Sequence, residues 1–397
     1  MAFRALHVLF SIIVLFVCFK FMGTLSNTED EIKFLNKHYS YENWQDIKTT
    51  INCIVTIGIW MYPGKSNYSG MLYSYPCVEY IDYVRSDGSI KRYNKYVKDA
   101  CDIDNLKSMM TGLHYYWQPN DICTIDKVVN SSTTPMTIAT SNTWNRHHFC
   151  NLLNNHRILF YGDSLTGEFF HSTESAIINS TIKYCGLFDA VYNSSHQSKK
   201  MSVLADDNSI HHITYQELTL QAIDDHIAGG CHNSNISIIL LYDEYKLYKS
   251  FLDKYQFDLL IYNRGAHYVA DDVLLYELNS TLSFLHHYYP TISIIYRSTS
   301  PGHINFQDLR YSPPLSSKHH YMATSVHNWD LFEHQNELTK HLLHRHYHDI
   351  LYLDIYPSTV LRGDGHCSID GLHYCIPGPI DQWVVFLYNA LSILDNV

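Results

Sequence analysis

The chain has 397 residues, 46% of them apolar and 14% aromatic, which is enough for a packed core and argues against intrinsic disorder. A formal net charge of −11, with no long run of Lys or Arg, argues against nucleic acid or an anionic membrane surface as a partner. No cysteine pair has CxxC spacing, so no structural zinc site is expected and no metal is assigned.

At the N-terminus, Arg4 and His7 precede the apolar run Val8–Phe19, and Lys20 follows it. This is the pattern of a signal peptide or a signal anchor. Gly23-Thr24-Leu25-Ser26 offers no small-x-small cleavage site. Residues 1–22 are therefore read as an uncleaved anchor, 23–49 as a lumenal stem and 50–397 as the main domain; a cleaved, secreted form is the alternative. Two further features support a lumenal placement. Six Asn-x-Ser/Thr sequons are candidate glycosylation sites, at Asn67, Asn130, Asn179, Asn193, Asn235 and Asn279. Beyond Cys18 stand nine cysteines, most of which should pair in an oxidising compartment.

Residues 50–150 hold five of those nine and are rich in Tyr, Asn, Ser and turn residues, which predicts an irregular, disulfide-stapled subregion. From about 151 to 397 the pattern changes. Apolar runs at Arg157–Tyr161, Ile236–Tyr242, Phe257–Tyr262, Ile292–Tyr296 and Ile350–Leu353 read as buried strands. Amphipathic stretches at Asp271–His287, Asp330–His346 and Asp381–Leu394 read as helices between and after them. Strands alternating with helices predict an α/β core with a parallel sheet covered on both faces.

The strand Arg157–Tyr161 ends in Gly162-Asp163-Ser164 and runs into a helical stretch. A serine there sits where open α/β sheets place their ligands, near the free amides of a helix start. An ordinary turn and helix cap would read the same way. Near the C-terminus, Asp370 and His373 are three apart, close enough in one turn for the carboxylate to hold one imidazole nitrogen while the other faces a serine. By itself, Asp-Gly-Leu-His is a surface turn. Taken with the strand–turn–serine unit, Ser164, His373 and Asp370 make a candidate nucleophile, general base and orienting acid. His341, His344 and His348 share a helical face but lack a zincin glutamate, and read as a solvated surface.

With Gly-Asp-Ser and Asp-x-x-His, the chain resembles SGNH/GDSL-type esterases and acyltransferases, in particular the trichome-birefringence-like, PC-esterase group of polysaccharide O-acetyltransferases. Further segments are similar to that group's blocks: Trp117-Gln118-Pro119 with Cys123, Asn263-Arg264-Gly265-Ala266-His267, Arg297 through Ser300-Pro301-Gly302-His303, Arg362-Gly363-Asp364-Gly365-His366, and Asp370 through Gly378 with Asp381-Gln382-Trp383. The resemblance implies an SGNH-like α/β/α sandwich and an acyl-serine intermediate. It implies no bound cofactor: an acetyl donor, acetyl-CoA or another, would be a co-substrate. It also implies a glycan or polysaccharide acceptor and a single-pass type II Golgi membrane protein. Gly162 and Asp163 of the nucleophile turn and Asn263 become candidates for the oxyanion region, although Asn263 can equally cap a strand-to-loop turn. Arg297 and His303 become candidates for substrate binding or for structural loop residues. The chain departs from the group at Thr166-Gly167-Glu168-Phe169 after the serine and at Gly371, where the group has a cysteine; Cys367 can replace it, with Cys375 then tied to the N-terminal segment. The readings that follow are an O-acetyltransferase, an esterase using the same triad, or a glycan-binding protein without catalysis.

Overall fold

The computed structural model describes residues 31–61, 115–123, 138–140, 143–178, 199–205, 209–220, 234–242, 246–309, 312–321, 327–366, 371–376 and 378–397, with Cys231 and short strand pieces at 83–84, 90–91 and 184–185. The expected anchor, residues 23–30 of the stem, four of the six sequons and Asp370 lie outside these residues.

Among the described residues seven strands form the central sheet: β1 (Arg157–Gly162), β2 (Lys199–Leu204), β3 (Ile210–Leu220), β4 (Ile236–Tyr242), β5 (Leu259–Tyr262), β6 (Ser293–Arg297) and β7 (Leu351–Leu353). Their order across the sheet is β7-β6-β5-β1-β4-β3-β2. The five strands from β7 to β4 are mutually parallel, as the apolar runs predict. The sheet is nevertheless mixed, because β3 pairs antiparallel with both β4 and β2. This hairpin escapes a search for continuous apolar runs. In β3 only Ile213, Tyr215, Leu218 and Leu220 are buried while His211, His212 and Thr219 are exposed, so the strand is half-solvated rather than enclosed.

The longer helices among the described residues are α1 (Tyr41–Thr56), α2 (Arg146–Leu153), α3 (Ser164–Ile178), α4 (Lys249–Tyr255), α5 (Asp271–Tyr288), α6 (Phe332–His346) and α7 (Pro379–Asn396). Alternation along β1 sorts the core into two layers. Ile158 and Phe160 face one apolar cluster with Phe169 of α3, Trp383 and Leu387 of α7, and Ile47 and Ile51 of α1. Leu159 and Tyr161 face the other, with Phe251 of α4, Leu278 and Leu282 of α5, and Leu343 of α6. This is an α/β/α sandwich. On α5, Leu274, Leu278, Leu282 and Leu285 recur at helical spacing and are all buried, each contributing about 1.5–3 kcal/mol by transfer from water.

Two disulfides are present among the described residues, Cys53–Cys123 and Cys150–Cys231. The first ties α1 to the segment after Tyr116–Pro119, a strand paired with Gly58–Met61. Residues 50–150 are thus stapled, as expected, but they also contain half of α1 and most of α2. The backbone register sets Cys375 opposite Cys185, both at the ends of two-residue strands.

Candidate active site

The site begins at the end of β1. The strand hands the chain to α3 through Gly162, which comes so close to its neighbours that a Cβ there would lie 2.7 Å from the Asn263 carbonyl oxygen and against Thr166 Oγ1. Only glycine fits this turn. Asp163 caps α3: its Oδ1 accepts from the amides of Leu165 (2.9 Å) and Thr166 (3.2 Å). Its Oδ2 accepts from the amide of Ala266 at 2.9 Å, joining the nucleophile turn to the loop after β5. Both carboxylate oxygens are therefore engaged by backbone donors, and Asp163 holds the turn rather than a substrate. Gly162 and Asp163, candidates for an oxyanion region, set the backbone around Ser164 and offer it no side-chain donor.

Ser164 is the first residue of α3 and is buried at 2% exposure. His373 Nε2 lies 2.7 Å from its Oγ, within the range of a direct hydrogen bond. The nucleophile and base named from sequence are therefore in contact across 209 positions of chain. Gly371 and Leu372 before the histidine form a bend.

The three remaining side chains expected at the site make supporting contacts in the structure. Asn263 is buried, and its Nδ2 donates to the Arg297 carbonyl (2.8 Å) and to Thr299 Oγ1 (3.1 Å). The carbonyl contact fixes which end of the amide carries the nitrogen. Arg297 is fully buried: its guanidinium donates to the Ser298 carbonyl and to Thr166 Oγ1 (3.1 Å), stands 3.8 Å from Asp163 Oδ1 and lies over the Trp383 ring. It underpins the nucleophile turn and supplies the countercharge to Asp163. His303 is also fully buried, with Nε2 2.9 Å from the Val360 carbonyl and Nδ1 2.7 Å from His366 Nε2. Burial pushes the His303 imidazole down to a pKa of about 4, against the smaller opposing effect of its bond to Val360, so the ring is neutral at neutral pH.

The four residues after Leu165 that depart from the resembled group all have local reasons. Thr166 accepts from Arg297. A Cβ on Gly167 would lie 2.9 Å from Tyr242 Oη. Glu168, buried in α3, accepts from the Tyr374 amide at 3.2 Å and so ties the nucleophile helix to the residue after His373. Phe169 packs edge-on against Phe160 and Trp383. Gly371 has a similar explanation: a Cβ there would run into the His303 carbonyl and approach Phe306, so this chain has no room for the group's cysteine. Glu168, Thr299, His366 and Tyr374 are site residues that sequence reasoning did not single out. Their roles come from contacts between distant segments; Thr299, His366 and Tyr374 lie in blocks that carried a sequence signal, but no individual role could be read from it.

Asn235 and Asn279 are exposed, as glycosylation requires; the Asn279 side-chain oxygen accepts from Tyr347. Among the described residues no group of three or more His, Cys, Asp or Glu could hold a metal ion.

No family model matches the chain, and no curated protein matches it. Four chains of solved structures match. One, described as "Peptidoglycan O-acetylesterase in action, 5 min", aligns over 63% of this chain and 97% of its own at 10% identity and a TM-score of 0.37, a likeness too low to carry an argument about chemistry.

Proposed function

We propose that the protein is a serine acyltransferase that moves an acetyl group to hydroxyls of a glycan or polysaccharide. The observation that carries this reading is the 2.7 Å contact of His373 Nε2 with Ser164 Oγ at a strand–helix turn. His373 takes the Ser164 proton as Oγ attacks the carbonyl carbon of the acetyl donor. The tetrahedral intermediate collapses, the bond to the leaving group breaks, and the leaving group takes the proton from His373. A sugar hydroxyl then attacks the acetyl-serine and gives its proton to His373. The bond to Oγ breaks, and Ser164 recovers that proton from His373.

The helix cap consumes the amides of Leu165 and Thr166, so the backbone donor for the oxyanion is the Ser164 amide, with Asn263 Nδ2 turning from Thr299 as the second. Asp370 is the proposed orienting acid for His373. Two disulfides and two exposed sequons support a lumenal site of action, and the N-terminal apolar run supports a membrane anchor.

The test is to incubate the purified protein with an acetylated chromogenic ester, with and without sugar oligomers. Acetyl on the sugar, dependent on Ser164, is the expected result. Release to water alone would make the protein an esterase with the same triad. A Ser164→Ala variant as active as the parent would overturn both readings and leave a binding role.

A further inference from the structure

Behind His373 lies a run of hydrogen bonds whose proton count does not close with neutral rings. It runs from the Val360 carbonyl to His303 Nε2 (2.9 Å), from His303 Nδ1 to His366 Nε2 (2.7 Å), and from His366 Nδ1 to the carbonyl of His373 itself (3.0 Å). A carbonyl oxygen only accepts, so each end of the run needs a ring N–H. The central contact joins two ring nitrogens and needs a third. Two neutral imidazoles carry only two ring protons, and with two the run would set a lone pair against a lone pair at one of its three contacts.

We infer that the His303–His366 pair holds three ring protons, and hence one positive charge, at neutral pH, and that this charge positions the backbone of the catalytic base. The neutral state of His303 puts the charge on His366, which donates from both nitrogens. The surroundings suit a buried imidazolium. His366 stacks on the Tyr374 ring at 4.1 Å and 27°, where a ring face favours a cation. Phe306 meets it edge-on, and Tyr321 meets His303 in the same way. The phenols of Tyr321 and Tyr374 donate to the carbonyls of Gly302 and Pro301 and do not compete for the rings. Of the charged groups nearby among the described residues, Arg362 and Asp364 are bound to each other through two contacts of 2.9 Å, and Glu168 accepts from the Tyr374 amide. The His303 amide also donates to the Gly371 carbonyl, so the pair grips the bend from both sides of the base.

The pH dependence has a definite sign. An unfolded histidine titrates near about 6.5. The stabilisation from the third proton is fully present below that pH and is lost as pH rises through the pair's native titration. His303, neutral in the folded chain down to about pH 4, removes stability as pH falls between the unfolded value and its own. Stability should therefore peak near the unfolded value, about pH 6.5.

The positioning role rests on His373 being the base; the proton count does not. The full chain labelled with 15N-histidine reads the count directly. At neutral pH one ring should show both nitrogens protonated, and that ring should vanish in His366→Gln. The two positions should also differ in what they tolerate. A glutamine at 303 can donate to Val360 and accept from His366, so His303→Gln should stay within about threefold of the parent. His366→Gln and His303→Leu should lower kcat about a hundredfold with KM little changed, the scale of a small misplacement of a catalytic group. His303→Leu should also pull the alkaline limb of the pH–rate profile to lower pH. Two results overturn the inference: every histidine ring neutral at neutral pH, or Gln tolerated alike at both positions with unchanged pH profiles. A doubly protonated ring in a protein whose Ser164→Ala variant keeps its activity would refute the positioning role alone and leave the count standing.

Discussion

Ser164 and His373 meet at one point but are held there differently. Ser164 stands where β1 becomes α3, and the Gly162 turn and the Asp163 cap that place it are its immediate neighbours in the chain. His373 stands after a bend, between short structural pieces, and its supports come from far away: Glu168 reaches the Tyr374 amide across 206 positions, and His303 reaches His366 across 63. The serine is positioned mainly by regular secondary structure, with Ala266 and Arg297 backing its turn, the histidine by cross-links between segments. A local unit tolerates change elsewhere, whereas a cross-linked one fails when any link is cut.

Mutations can break or sharpen this contrast. Ser164→Ala and His373→Ala should each lower kcat on an acetyl ester by about four orders of magnitude or more, since a nucleophile and base of the proposed kind act as a unit. A much smaller loss at His373 would mean that another group is the base. Next in size, Asp163→Ala removes a helix cap and leaves the buried Arg297 guanidinium without its countercharge, which should destabilise the fold by about 3–5 kcal/mol in urea titrations. A cost below about 1 kcal/mol would show that the serine side does not depend on its cap in this way.

On the histidine side, Glu168→Ala orphans the buried Tyr374 amide at about 1–3 kcal/mol and should lower kcat as well, while Glu168→Gln, which keeps an acceptor, should do less of both. Equal effects from the two variants would remove Glu168 from the support of the bend. Gly371→Cys, the residue of the resembled group, should overpack against the His303 carbonyl and cost about 1–3 kcal/mol. Smallest is a pH effect. The depressed His303 pKa makes the unfolded chain bind the extra proton, so stability should drop by about 1 kcal/mol between pH 6 and pH 5. His303→Gln should flatten that slope in urea titrations at the two values.

The same contrast explains what could be read from the sequence. The strand Arg157–Tyr161, the turn and the following helix were legible because periodicity and turn chemistry are local. So were the other four parallel strands and α5 to α7, whose buried faces carry strong apolar patterns. The β2–β3 hairpin was not, because its alternation is diluted by exposed histidines and threonines. Arg297 and His303 could be named as important but not assigned, since whether a polar residue faces substrate or the interior depends on packing that only the folded chain reveals. The segments of Glu168 and His366 could be noted from the sequence, but the links through them could not, since each partner lies far away in the chain.

The first helix has a practical consequence for producing the protein. Residues 41–49, placed in the stem on composition, form the first half of α1. Trp44, Ile47, Ile51 and Ile54 are buried, and the Trp44 indole and the Lys48 ammonium both donate to the His348 carbonyl just before the edge strand β7. Just upstream, the Leu35 amide donates to Ser293 Oγ at the start of β6, and Tyr39 bonds the Leu394 carbonyl near the end of α7. A recombinant fragment begun at residue 50 would cut this helix in half and uncover the flank of the sheet, inviting aggregation. One begun ahead of Ile32 keeps the flank covered and is the span to express.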